Sequence, residues 1–115
     1  MKEIIYCSKE LSKKEKIKIS SADCTSVATL LRSTEKVEIT NVEYVVVLGA
    51  DDVTPFQTAV IVTDNEKFLV SGSVAVDFIK DVSEELENDF EDITFVFDYA
   101  TSKSSGNNYL SASIK

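Results

Sequence analysis

A chain of 115 residues, 43% hydrophobic and 28% charged, can build one core without disulfide or metal staples, and three glycines with one proline leave little room for a linker or a disordered segment. Twenty acidic against twelve basic residues give a formal charge of −8, with residues 1–35 at +2 and residues 36–115 at −10. An acidic body of this kind repels polyanions at long range and argues against unfocused polyanion binding. A local groove stays open to it, because physiological salt screens charge beyond about 8 Å.

The opening "MKEIIYCSKE" carries a short apolar stretch but no signal-peptide core, and no apolar run approaches the ~18 residues of a membrane span. Cys7 and Cys24 are isolated thiols, read as reduced, and the expected location is cytoplasmic. "ELSKKEKIKISSA" contains Ser12-x-x-Glu15, a capping box that would start a short helix. Ile17 and Ile19 alternate with lysines and point to a strand instead; the helix is preferred. "TSVATLLR" reads as another short helical turn. Residues 1–35 are thus expected to be an N-terminal extension of a single domain whose body is 36–115.

The body opens with "KVEITNVEYVVVLG", β-branched and aromatic, and long enough for one strand to bend across two sheets. "GADDVT" and its neighbour Pro55 are loop chemistry, and "PFQTAVIVT" is the next strand. The Asp64-Asn65 pair makes a tight turn into "EKFLVS". "SGSVAVDFIKDVSEELEN" then places Ala75, Phe78, Ile79, Val82 and Leu86 in one apolar stripe, predicting a helix capped by Ser71 or Ser73 with Asp77 near its positive end. "DITFVFDYA" and "NYLSASI" close the chain as a hairpin around a polar loop. Five strands with one helix between the third and fourth is the order of the OB-fold, a small, partly open Greek-key barrel, although other α+β folds share a similar string.

Enzyme chemistry is hard to assemble from these residues. There is no histidine, the two cysteines make no zinc pattern, and the glycines stand singly at 49, 72 and 106, so no phosphate loop forms. Asp51-Asp52 and Asp64-Asn65-Glu66 lack the spacing of a calcium loop. Among so many carboxylates no catalytic pair stands out. No cofactor or metal is expected, and the chain reads as a binding protein.

Aromatics with polar neighbours are what remains. Strand alternation puts Ile93, Phe95, Phe97 and Tyr99 on one face of the first hairpin strand and Leu110, Ala112 and Ile114 on the inner face of the second. Tyr109, Ser111, Ser113 and Lys115 then face outward. An outward tyrosine beside a lysine-bearing loop offers a π-face for a base and a cation for a phosphate, the local chemistry of single-strand binding. Tyr44, Phe56 and Phe68 are further candidate platforms. Core packing is the competing role for each, and the expected one for Phe78, Phe95 and Phe97.

Three stretches in the same order carry a resemblance: "SKELSKKEKIKISSA", "FLVSGSVAVDFIKDV" and "ATSKSSGNNYLSASI". From about residue 6 to its end the chain resembles the small single-stranded DNA-binding proteins encoded by phages and prophages of Gram-positive and gut bacteria. The replication protein of terminal-protein-primed Bacillus phages is similar at a greater distance. The resemblance implies an OB-fold-type protein that coats exposed single strands in the host cytoplasm during phage replication or recombination. The positions matching its pattern are Ser71 before the helix and Thr101, Ser102, Lys103, Gly106 and Tyr109 in the hairpin. The chain departs from that pattern in having Asn107-Asn108 where the family carries a basic residue, and in a loop one serine longer. It also stops at Ile114-Lys115, without the acidic tail of bacterial single-strand-binding proteins.

The expected site is therefore Tyr44, Phe56, Lys67, Phe68, Thr101, Ser102, Lys103 and Tyr109, with single-stranded DNA as partner, phage replication or recombination proteins as further partners, and no membrane. Fifteen carboxylates in residues 36–115 support the competing reading, an acidic protein-interaction module that mimics DNA or blocks a host factor. A phage structural or adaptor protein is the third.

Overall fold

The computed structural model describes residues 4–15, 24–50, 52, 55–64, 66–87, 89–101 and 103–115. Strands dominate: β1 (Ile4–Cys7), β2 (Thr25–Ser26), β3 (Val37–Ile39), β4 (Val42–Leu48), β5 (Thr58–Thr63), β6 (Lys67–Ser71), β7 (Phe95–Thr101) and β8 (Asn108–Ile114). Helices α1 (Val27–Leu30) and α2 (Ser73–Glu85) join them. The strands form a five-stranded sheet in the order β1-β4-β5-β6-β2 and a three-stranded sheet in the order β3-β7-β8.

The long β-branched run does cross from one sheet to the other. It breaks at Thr40-Asn41, where Asn41 takes φ +56°, so β3 pairs with β7 in the small sheet while β4 pairs with β5 in the large one. A left-handed residue cannot extend a strand, and asparagine tolerates that conformation better than most side chains. The hairpin β7–β8 pairs Phe97 with Ala112 and Tyr99 with Leu110.

β4 and β5 are buried on both faces, which is why they read as nearly unbroken apolar runs. One face of the large sheet, through Val45, Val47, Ala59, Ile61 and Val70, packs against Ala75, Val76 and Ile79 of α2 and against Ile39, Phe95, Phe97 and Leu110 of the small sheet. Full burial of each valine, leucine, isoleucine or phenylalanine among them stabilises by about 1.5–3 kcal/mol. The other face, through Tyr44, Val46, Leu48, Val60 and Val62, packs beneath Leu11, with Ile4, Cys7, Cys24 and Leu69 at its margin.

Several expectations change here. The N-terminal stretch is no appendage, because β1 and β2 form the two edges of the large sheet and Leu11 covers its second face. Ser8 pins that arrangement: its N–H donates to the Val45 carbonyl (3.0 Å), and the Val45 N–H donates back to Ser8 Oγ (2.9 Å). The capping box forms as read. Ser12 N–H donates to Glu15 Oε1 and Glu15 N–H to Ser12 Oγ, each at 3.2 Å, and residues 13–15 are helical. Ile17 and Ile19 lie outside the described residues.

Neither Ser71 nor Ser73 caps α2. Gly72 is the N-cap, at φ +105° and with no side-chain bond, because the chain leaves β6 through a conformation that favours glycine. Asp77 lies beyond the first turn. The buried line of the helix is Ala75, Val76, Ile79 and Ser83, with Phe78, Val82 and Leu86 half-buried beside it. On β8, Leu110 is buried, but Ile114 is exposed at the far end of the strand. Closure of a barrel would bring β6 alongside β8; among the described residues β6 pairs instead with β5 and, in parallel, with β2. No helix among the described residues is long and apolar enough to cross a membrane.

Candidate nucleic-acid interface

The hairpin loop and the first turn of α2 enclose a cleft of about 540 Å³ lined by Val74, Thr101, Lys103, Ser105, Asn107, Asn108 and Tyr109. Local chemistry shapes this end of the hairpin. Thr101 Oγ1 donates to Asn108 Oδ1 across the ribbon at 3.0 Å, and the Asn107 N–H donates to Ser105 Oγ at 3.3 Å. Gly106 takes φ +73° where the chain turns back. Tyr109 pairs with Ala100, on the face opposite Leu110, and is 38% exposed. The outward parity read from the sequence is the parity observed.

Charge distinguishes this cleft from another on the molecule. Among the described residues its lining has one cation, Lys103, and no carboxylate, and residues 99–115 contain no acidic residue at all. A second cleft, about 610 Å³ between the β3–β4 break and the segment before β7, carries Glu43, Asp64, Glu91 and Asp92. An anionic backbone is repelled by the second and tolerated by the first. The first cleft offers an aromatic face, an ammonium group, and hydroxyl and amide hydrogen-bond donors.

Of the predicted site residues, Thr101, Lys103 and Tyr109 meet in this cleft, and Ser102 lies outside the described residues. Phe56 is 51% exposed in the loop between β4 and β5 but does not line the cleft. Lys67 and Phe68 are half-buried on β6, with Phe68 packed against the main core. Neither is an open platform.

Tyr44 must be removed from the set. It is 6% exposed within the second apolar cluster, and Lys9 Nζ sits 4.5 Å above the centre of its ring. Lys9 is held there by Glu15 at 3.1 Å, so an ammonium group already occupies the ring face a base would need. Burial first, and then the Glu15 carboxylate, push the Tyr44 hydroxyl above its ordinary pKa. The cause is a bulge. Val42 pairs with Thr63 but Tyr44 with Val62, so Glu43 is the extra residue and Tyr44 turns to the face opposite Val42.

One aromatic escaped the sequence reading. Tyr99 shares the face of Phe97 and Leu110, yet it is 50% exposed. Its position two residues beyond Phe97, near the polar loop, was the only available sign that the core ends before it.

Comparison with models of known families, with curated proteins and with solved structures finds no match.

Proposed function

We propose that this protein binds single-stranded DNA with little regard for sequence and shields exposed strands during phage replication or recombination. The observation that carries the reading is the acid-free hairpin cleft, where an open tyrosine face and a lysine lie together on a chain of charge −8. Stacking accepts any base, because every base has a π-face, and one cation suffices to meet a passing phosphate.

The strand pairing supports the same reading at the level of fold. A long first strand bent between two sheets, a meander through β4, β5 and β6, and a hairpin β7–β8 returning to β3 follow the path of an OB-type barrel left open between β6 and β8. Oligonucleotides meet such folds on the face of strands two and three and at two loops. Here Val60, Val62 and Leu69 on the corresponding outer face pack with Leu11, which supports the loops as the binding elements. On this reading the β7–β8 hairpin is the binding loop, with Phe56 on the other one.

Titration of a fluorescent oligo-dT at low and moderate salt tests the proposal. Binding that weakens as salt rises is expected, with duplex DNA of the same length bound more weakly. No binding at tens of micromolar protein overturns the proposal and favours the protein-interaction module, whose own support is the carboxylate-rimmed cleft of Glu43, Asp64, Glu91 and Asp92.

A further inference from the structure

Large apolar side chains left in water are unevenly placed on this molecule. Among the described residues they are Ile5, Phe56, Val74, Tyr99, Tyr109 and Ile114, and four of the six belong to the β7–β8 hairpin or the first turn of α2. Single exposed apolar residues are ordinary, but a concentration on one projecting element marks a contact surface.

The two tyrosines have a defined relation. Tyr99 pairs with Leu110 and Ala100 pairs with Tyr109, so the rings stand on adjacent strands, one register step apart, on opposite faces of one two-stranded ribbon. Tyr99 continues the line of Phe97, which is 0% exposed, yet it is itself 50% exposed. Leu110, across from Tyr99, is still buried, so on this face the ribbon is uncovered on its β7 side, beyond the last residue paired with β3. Asp98 pairs with Ser111 and therefore lies on the face of Tyr109. The face of Tyr99 carries Thr101, Asn108 and Leu110 along the same stretch, with no carboxylate. Thr101 and Asn108 also line the cleft, so its carboxylate-free surface continues onto the Tyr99 side. A tyrosine on a strand is also a stiff platform, with two side-chain torsions to fix on binding.

We infer that Tyr99 is a second stacking residue and that the hairpin is a post around which a single strand turns. One base stacks on Tyr109, the backbone crosses the loop at Lys103, and a later base stacks on Tyr99. The inference rests on the proposed single-strand binding and adds to it a two-faced site. A strand must have enough nucleotides to pass from one face to the other, so the contribution of Tyr99 depends on oligonucleotide length.

The test measures the affinity of the full chain for labelled oligo-dT of increasing length, with Tyr99→Ala, Tyr99→Leu, Tyr99→Phe and Tyr109→Ala variants and a melting curve for each. Loss of one stacked base is worth roughly five- to 150-fold in affinity, the equivalent of about 1–3 kcal/mol. Expected is a loss of that size for Tyr99→Ala and Tyr99→Leu on long oligonucleotides, none on the shortest that still binds, and near wild-type affinity for Tyr99→Phe. Tyr99→Leu keeps apolar bulk on the ribbon, so a loss of affinity with an unchanged melt separates stacking from folding. Wild-type affinity of Tyr99→Leu on long oligonucleotides, with Tyr109→Ala weakened, overturns the two-faced site and leaves the single-strand reading standing. Failure of the wild-type chain to bind any length overturns both.

Discussion

Tyr44 and Tyr109 are the same residue type in opposite situations, and the contrast makes a residue-scale prediction. Tyr44 is 6% exposed beneath Leu11 and Lys9, whereas Tyr109 is 38% exposed on the hairpin. Tyr44→Ala should leave a cavity and cost about 3 kcal/mol of stability, read as a drop in melting temperature. Tyr109→Ala should leave the melt nearly unchanged and weaken oligo-dT binding by about 1–3 kcal/mol. Lys103→Ala should weaken binding modestly and flatten its logarithmic salt dependence by about 0.7, the loss of one phosphate contact on a single strand. Stacking is largely indifferent to salt, so Tyr109→Ala should leave the slope alone. An inverted result, with Tyr109→Ala melting early, would mean that the register of β8 is shifted by one residue.

At the scale of elements, two short signals decide where helices begin, and both can be tested. Gly72 starts α2 at φ +105°, and a Cβ built there would meet Leu110 Cβ at 3.7 Å, an ordinary contact. Gly72→Ala therefore suffers from backbone conformation and not from crowding, and should cost about 1–3 kcal/mol in a denaturant melt. The second signal is the Ser12–Glu15 box. The Ser12 backbone N–H, and after it Lys9, hold the Glu15 carboxyl below its ordinary pKa. A lowered folded-state pKa stabilises fully above the unfolded value and loses that contribution as pH falls through the folded value. Glu15→Gln keeps a hydrogen-bonding side chain but no titration. The wild type should melt higher than this variant near neutral pH, and the gap should close as pH falls below the ordinary carboxylate range.

For the whole molecule, the sharpest consequence concerns where the folded unit begins. Residues 36–115 hold the five strands and the helix of the expected barrel, but β1, β2 and Leu11 belong to the same packed structure. A chain starting at residue 36 would bare Tyr44, Val46, Val60 and Val62 and lose the Ser8 bonds to Val45. It should fail to give a cooperative melt or a dispersed amide spectrum. A cooperative melt matching the full chain would show that the N-terminal strands are dispensable. Net charge acts at this scale too. At −8, the protein gains nothing from long-range attraction to DNA, so the proposed binding would be local to the hairpin cleft, whose described lining carries no carboxylate.

Local chemistry was enough to locate β3 to β8, the long helix, the capping box and the outward parity of Tyr109, because alternation, helical spacing and turn residues act over a few neighbours. Phe95 and Phe97 were legible as core for the same reason, and both are fully buried. Three features were set by tertiary structure. The bulge at Glu43 turns Tyr44 to the other face, and a bulge depends on the partner strand as much as on its own residues. β1 and β2 are short and lack an alternating pattern, and they are strands because β4 and β6 at the margins of the large sheet supply their backbone hydrogen-bond partners. The exposure of Tyr99 depends on where α2 and the large sheet stop covering the ribbon. Periodicity tells which face a side chain takes, and only packing decides whether anything lies against it.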